Sequence, residues 1–147
     1  MLYFAYGSNM HPGQMAKRCP GCAFVGMARL RDHRLTFSRL WGAWGGGGVA
    51  DLQPAPDSVV EGVVWEITGA HRQTLDDYED YSTSYTRKDV VVETADGRTL
   101  TAFAYAAKPT GAYRPARRYL EEILEGARAH NLSPDYIAFL EAIPTED

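Results

Sequence analysis

The stretch from Arg87 to Ala107, "RKDVVVETADGRTLTAFAYAA", carries the fold. Two β-rich runs flank Asp96-Gly97, the pair favoured by a two-residue type I′ turn, so the segment predicts an antiparallel hairpin. Other strand signals precede it. "MLYFAY" (1–6) is a continuous apolar run, expected of a strand buried on both faces. "RDHRLTFS" (31–38) alternates, and "VVEGVVWEIT" (59–68) is β-branched. Between them "WGAWGGGGVADLQPAP" (41–56) reads as a glycine-rich loop leading into a short strand.

The helical signals are placed before, between and after these strands. Ser8 or Asn9 is the expected cap of a short helix over "PGQMAKR" (12–18), with Pro12 in its first turn. Thr68 is the expected cap of a helix over "GAHRQTLDDY" (69–78). In "RPARRYLEEILEGARAH" (114–130), Tyr119, Leu120, Ile123, Leu124 and Ala127 share one face, with Pro115 near the first turn. A last helix follows Ser133-Pro134, with Ile137, Leu140 and Ile143 inward. Strands with helices inserted and appended predict an α+β fold: a small mixed, mainly antiparallel β-barrel with flanking helices. With 147 residues and no break in composition, residues 1–147 are expected to form a single domain.

Composition narrows the function. Hydrophobic residues make up 45% of the chain, ample for a core, and the net charge is −4. An acidic chain whose only basic cluster is "RPARR" (114–118) is not expected to bind nucleic acid or an anionic membrane. No run approaches the 18 or more apolar residues of a bilayer span, and no charged n-region of a signal peptide opens the chain. A cytoplasmic location is therefore expected. In a reducing compartment Cys19 and Cys22 of "CPGC" read as two loop thiols, since a second Cys pair is lacking and the spacing of His11 and His33 does not complete a zinc site. No metal or cofactor is expected.

Among reactive groups, the run Gly45–Gly48 lacks the Gly-Lys-Ser/Thr ending of a phosphate loop, so glycine here points to close backbone approach. Ser8 is a candidate nucleophile with His11 nearby, though without a Gly-x-Ser-x-Gly elbow. In "LDDYEDY" (75–81), Asp76, Asp77 and Asp80 fall at the end of a helix, where negative charge opposes the macrodipole. Glu79 stands between Tyr78 and Tyr81, which are expected to wall it from water and raise its pKa, making it a candidate general base.

Taken in order, "YFAYGSN" (3–9), "ARLRDHRLTFS" (28–38), "WGGGGVADLQPAP" (44–56), "EGVVWEIT" (61–68), "LDDYE" (75–79) and "NLSPDYIAFLEAI" (131–143) resemble the γ-glutamylcyclotransferase family along almost the whole chain. The tetrad Tyr6-Gly7-Ser8-Asn9 is similar to that of the branch acting on γ-glutamyl-amino acids. The resemblance implies a barrel whose N-terminal loop faces one glutamate across a cavity, a small γ-glutamyl substrate, and release of 5-oxoproline. It implies Glu79 as the catalytic residue and Tyr6, Gly7, Ser8, Asn9, Tyr105 and Tyr119 as substrate-binding residues. The chain departs from the family pattern at Glu79-Asp80, where Glu-Gly is usual, and so sets a second carboxylate beside the base. A non-catalytic metabolite binder and a Ser8-dependent γ-glutamyl hydrolase stand as alternatives, and either a monomer or a homodimer fits. The far wall of the pocket, which selects the leaving amine, is expected from Trp41–Gly48 and the segment around Tyr113.

Overall fold

A computed structural model describes residues Met1–Asp147. Its strands are β1 (Leu2–Ala5), β2 (Ala23–Leu40), β3 (Gly48–Glu66), β4 (Tyr85–Thr94) and β5 (Thr99–Ala107). The helices are α1 (Pro12–Arg18), α2 (Gly69–Tyr78), α3 (Arg117–Ala129) and α4 (Pro134–Glu141), with single 3-10 turns at Ser8–Met10 and Gly42–Trp44. The strands close into a barrel in the order β1-β3-β2-β4-β5. Neighbours are antiparallel except β1 and β5, which meet in parallel at Tyr3 and Phe103. This is the α+β barrel expected from the order of elements.

The hairpin forms as read, with Tyr85 opposite Ala107 and Glu93 opposite Thr99. Its turn differs. The Thr94 N–H donates to Arg98 O at 2.8 Å and the Gly97 N–H to Thr94 O at 3.1 Å, so three residues, Ala95 to Gly97, form the loop. Gly97 alone takes a positive φ, of 86°. The Thr94 hydroxyl explains the change: it accepts the Arg98 N–H at 3.0 Å and donates to the Asp96 carboxylate, which keeps Asp96 out of the left-handed region that a type I′ turn demands.

Strands β2 and β3 are far longer than the runs that announced them, and "DLQPAP" belongs to β3 rather than to a loop. The prolines are tolerated because the ladder slips where they fall. Register shifts between Arg31 and His33, Asp32 and Asp57 adopt φ of 60° and 65°, and the Asp57 N–H donates to Asp32 Oδ1 at 3.1 Å. The cap of α1 is also not the one expected: His11 takes the N-cap, its Nδ1 accepting the Gly13 and Gln14 N–H groups, while Ser8 and Asn9 lie in the preceding 3-10 turn. Thr68 and Ser133 cap α2 and α4 as anticipated.

One contiguous apolar cluster fills the barrel and the space beneath α3, whose inward residues are Tyr119, Leu120, Ile123, Leu124 and Ala127. Helix α3 lies directly on the Ser8–Met10 turn. A Cβ built at Gly126 would stand 2.6 Å from His11 N and from the Met10 carbonyl carbon, so the approach requires glycine there.

Candidate active site

The mouth of the barrel holds a cavity in two connected parts. The inner chamber, about 40 Å³, is walled by Tyr3, Tyr6, Tyr85, Tyr105 and Tyr119 and floored by Gly7, Ser8 and Asn9. The outer chamber, about 320 Å³ and open to solvent, is bounded by Arg18, Trp41, Trp44 and Tyr78 among others. Glu79, Ser8, Tyr85 and Tyr119 border both. Glu79 and the residues Tyr6, Gly7, Ser8, Asn9, Tyr105 and Tyr119 therefore border one cavity, and Glu79 stands at the junction.

Two of the tyrosines are held by Ala50 of β3, and two by other elements. Tyr85 donates to Ala50 O at 2.7 Å, and Tyr119 accepts the Ala50 N–H at 2.9 Å. Tyr6 donates to Tyr105 O at 2.5 Å, and Tyr105 donates to Asp76 Oδ1 at 2.6 Å. Burial pushes all five hydroxyls well above the usual tyrosine pKa, so they stay protonated. The hydroxyls of Tyr6, Tyr85 and Tyr105 spend their protons on protein acceptors. Tyr3 and Tyr119 act as acceptors, from Asn9 Nδ2 at 2.9 Å and from Ala50 N, which leaves their own O–H groups to donate into the chamber.

The floor is equally fixed. Asn9 is buried, its Oδ1 accepting from Gln14 Nε2 at 2.9 Å and from an Arg18 guanidinium N–H at 3.0 Å. Its carbonyl accepts the Trp65 indole N–H at 3.0 Å. No side chain caps the Ser8–Met10 turn, and Gly7, Ser8 and Asn9 border the chamber.

Glu79 ends α2 as its C-cap, its N–H donating to Leu75 O at 2.9 Å. Desolvation pushes its carboxyl up to about 7, against a smaller lowering by the Arg18 charge. The source of that burial is not the one expected. Tyr78 and Tyr81 are 50% and 40% exposed. Tyr78 stacks under the Arg18 guanidinium at 4.1 Å and Tyr81 under Arg87 at 4.2 Å. The inner tyrosines, which come from β1, β4, β5 and α3 and the end of β1, enclose Glu79 instead.

Asp80 does not add its charge to the cavity. It takes φ 50°, a left-handed position that glycine adopts freely and aspartate tolerates, and its carboxylate accepts the Ser84 hydroxyl at 2.7 Å on the exposed side. Ser8 has no base: its Oγ accepts from Gln14 Nε2 at 2.8 Å, and His11 turns its ring to the α1 cap and to Glu125 Oε2 at 2.9 Å.

Trp41, Ala43 and Trp44 line the outer chamber as expected, but Tyr113 does not; it faces a separate groove beside Phe37 and Ile143. The glycine run is conformational, since Gly45, Gly46 and Gly47 all have positive φ and a Cβ on Gly47 would lie 2.6 Å from Ala116 N. Cys19 is buried and Cys22 half-buried, both as free thiols, and burial raises the Cys19 pKa to about 11. Residues that the sequence did not flag are Tyr3, Tyr85 and Arg18, while Asp76 was read only as part of an acidic helix end. Tyr3 and Tyr85 look like strand residues, and only barrel closure turns them inward.

Comparison with known proteins agrees with this geometry. The family description "Gamma-glutamyl cyclotransferase, AIG2-like" matches residues 3–127. The chain is 33% identical over 151 aligned positions to the gamma-glutamylcyclotransferase of Homo sapiens, covering 99% of this chain and 80% of that protein. It is 32% identical to the gamma-glutamylcyclotransferase of Bos taurus at the same coverage. A solved structure of a gamma-glutamyl cyclotransferase superposes with a TM-score of 0.94 at 32% identity, covering 99% of this chain and 89% of that one. No helix is long and apolar enough to cross a membrane. By sequence along nearly all its length, and by a fold that superposes closely on a solved relative, the chain belongs to the AIG2-like γ-glutamyl cyclotransferase family of enzymes.

Proposed function

We propose that the protein, acting as a single domain over residues 1–147, cleaves small γ-glutamyl amides by internal cyclisation, with Glu79 as acid and base. The observation that carries this reading is a carboxyl raised to about 7 where a tyrosine-walled chamber meets an open one. The γ-glutamyl half fits the inner chamber, and the leaving half extends outward. Glu79 takes a proton from the substrate α-ammonium, the freed amine attacks the γ-carbonyl carbon, and the C–N bond to the leaving group breaks as Glu79 returns that proton to the leaving nitrogen; the second proton, shed by the attacking nitrogen as it becomes the lactam N–H, goes to the departing amine, which leaves as its ammonium form. The products are 5-oxoproline and an amine or amino acid.

Magnitudes support this assignment. For an α-amine near pKa 8 and an ordinary glutamate near 4.3, proton transfer is uphill by roughly 5 kcal/mol. A Glu79 near 7 reduces the mismatch to about one unit, or about 1.4 kcal/mol. Because nucleophile and electrophile share one molecule, folding the substrate correctly contributes roughly 7 to 11 kcal/mol more. In this reading the backbone of the Gly7–Asn9 turn and the Tyr3 and Tyr119 hydroxyls hold the α-carboxylate or the oxyanion that forms during attack, a role supported by their position on the chamber wall.

Product analysis tests the proposal. Incubation with γ-glutamyl-alanine is expected to release 5-oxoproline and alanine in equal amounts, from wild type and from Ser8→Ala alike, with kcat/KM of the variant reduced about tenfold or less. Free glutamate as the primary product would indicate a hydrolase. Absence of any product would indicate a binder.

A further inference from the structure

Across the outer chamber from Glu79 stands a cation with almost no partner. Arg18, the last residue of α1, is half-buried and makes one hydrogen bond, to Asn9 Oδ1. None of the protein's ion pairs includes it. A guanidinium has five N–H donors, so four remain unclaimed by protein. Its plane is fixed from both sides, by the Asn9 contact and by the Tyr78 ring at 4.1 Å. Such a group is prepared for a planar anion, and two parallel N–H bonds to a carboxylate are its strongest match.

The position decides which carboxylate. Arg18 borders the outer chamber with Glu79 and is absent from the walls of the inner one. A γ-glutamyl group in the inner chamber keeps its own α-carboxylate beside the Gly7–Asn9 turn. A carboxylate on the carbon next to the leaving nitrogen emerges on the other side of Glu79, toward Arg18. Beyond it Trp41 and Trp44 present aromatic surface, packed edgewise on Tyr85 at 6.1 Å and against Tyr119 at 5.2 Å. The other acid on this wall, Asp77, is exposed at the rim, where water screens it.

We infer that Arg18 is the residue that reads the carboxylate of a leaving amino acid, whose side chain then sits against Trp41 and Trp44. This rests on the cyclotransferase reading above. The test compares γ-glutamyl-alanine with γ-glutamyl-alaninamide, which differ in that one charge, in wild type and Arg18→Gln. Wild type is expected to favour the acid in kcat/KM by about tenfold or more, and Arg18→Gln to bring the ratio close to one. The ratio is internal to each protein sample, so partial misfolding or an altered Glu79 cancels from it. Equal activity of wild type on both compounds, or a drop by the same factor on both in Arg18→Gln, would overturn the assignment while leaving the cyclotransferase reading intact. Failure of wild type to release 5-oxoproline from either compound would overturn both.

Discussion

Glu79→Gln is expected to lower 5-oxoproline release by about 10²- to 10⁴-fold, because glutamine keeps the shape of the side chain and removes the only group at the chamber junction able to carry the proton. Retention of near wild-type turnover would refute the role. The pH dependence follows from the same carboxyl. Glu79 must be ionised to accept a proton, so kcat/KM for the wild type is expected to fall on the acid side with a midpoint near pH 7. Removing the Arg18 charge, which lowers that pKa, moves the midpoint upward.

Stability runs the other way. A carboxyl near 4.5 in the unfolded chain and near 7 in the folded one favours folding most when protonated, and that advantage fades as pH rises through the folded value. At pH 8 the ionised Glu79 therefore costs the fold about 3 kcal/mol relative to pH 4. Glu79→Gln is expected to raise Tm at pH 8 and to have little effect near pH 4. Thermal melts at the two pH values, read beside the turnover assay, separate loss of chemistry from loss of fold.

The second large effect is expected from Gly126→Ala, a methyl group outside the cavity. Its Cβ would meet His11 N and the Met10 carbonyl carbon at 2.6 Å, and neither is a flexible side-chain tip. The relief available is for α3 to withdraw or for the Ser8–Met10 turn to move into the chamber. Helix α3 also carries Tyr119, so either response changes the distance between the floor and a wall. Overpacking of this kind destabilises by about 1 to 3 kcal/mol, and a displacement of about 1 Å at a positioning element can cost about 10²-fold in rate. Gly26→Ala, at a site where a Cβ meets nothing within 4 Å, serves as the control. A Gly126→Ala protein with wild-type kcat/KM would show that the turn does not set the substrate's geometry.

The hairpin, the caps Thr68 and Ser133 and the inward face of α3 were all legible in the sequence, because each depends on local chemistry or on a period within one element. Glu79 was singled out through Tyr78 and Tyr81, which do not bury it, and the turn as a binding loop was legible through resemblance alone. The failures share a cause. Tyr78 and Tyr81 adjoin Glu79 in the chain but face outward, while Tyr3, Tyr85 and Tyr105 enclose it from strands that only closure of the barrel brings together. The cap of α1 was misassigned because His11, an uncommon capping residue, outcompetes Ser8 and Asn9, which a tighter 3-10 turn has already engaged. Arg18 carried no local signal; its value arises from what it lacks, a partner, and a missing contact has no pattern in one dimension.

The attachment of the tyrosines to Ala50 has a consequence for how this site tolerates change. Tyr85 and Tyr119 take their bearings from the two ends of a main-chain unit, Ala50 O and Ala50 N, and no side-chain replacement deletes either atom. Point substitution elsewhere along β3 therefore leaves the anchor in place. A change of length does not. Ala50 faces Phe37 across the ladder, and the pairing shifts immediately beyond, between Phe37 and Arg39. One residue gained or lost beside Ala50 would present the neighbouring residue, rotated to the opposite face, to both hydroxyls at once. The anchor thus depends on the number of residues in β3 more than on the side chain at position 50.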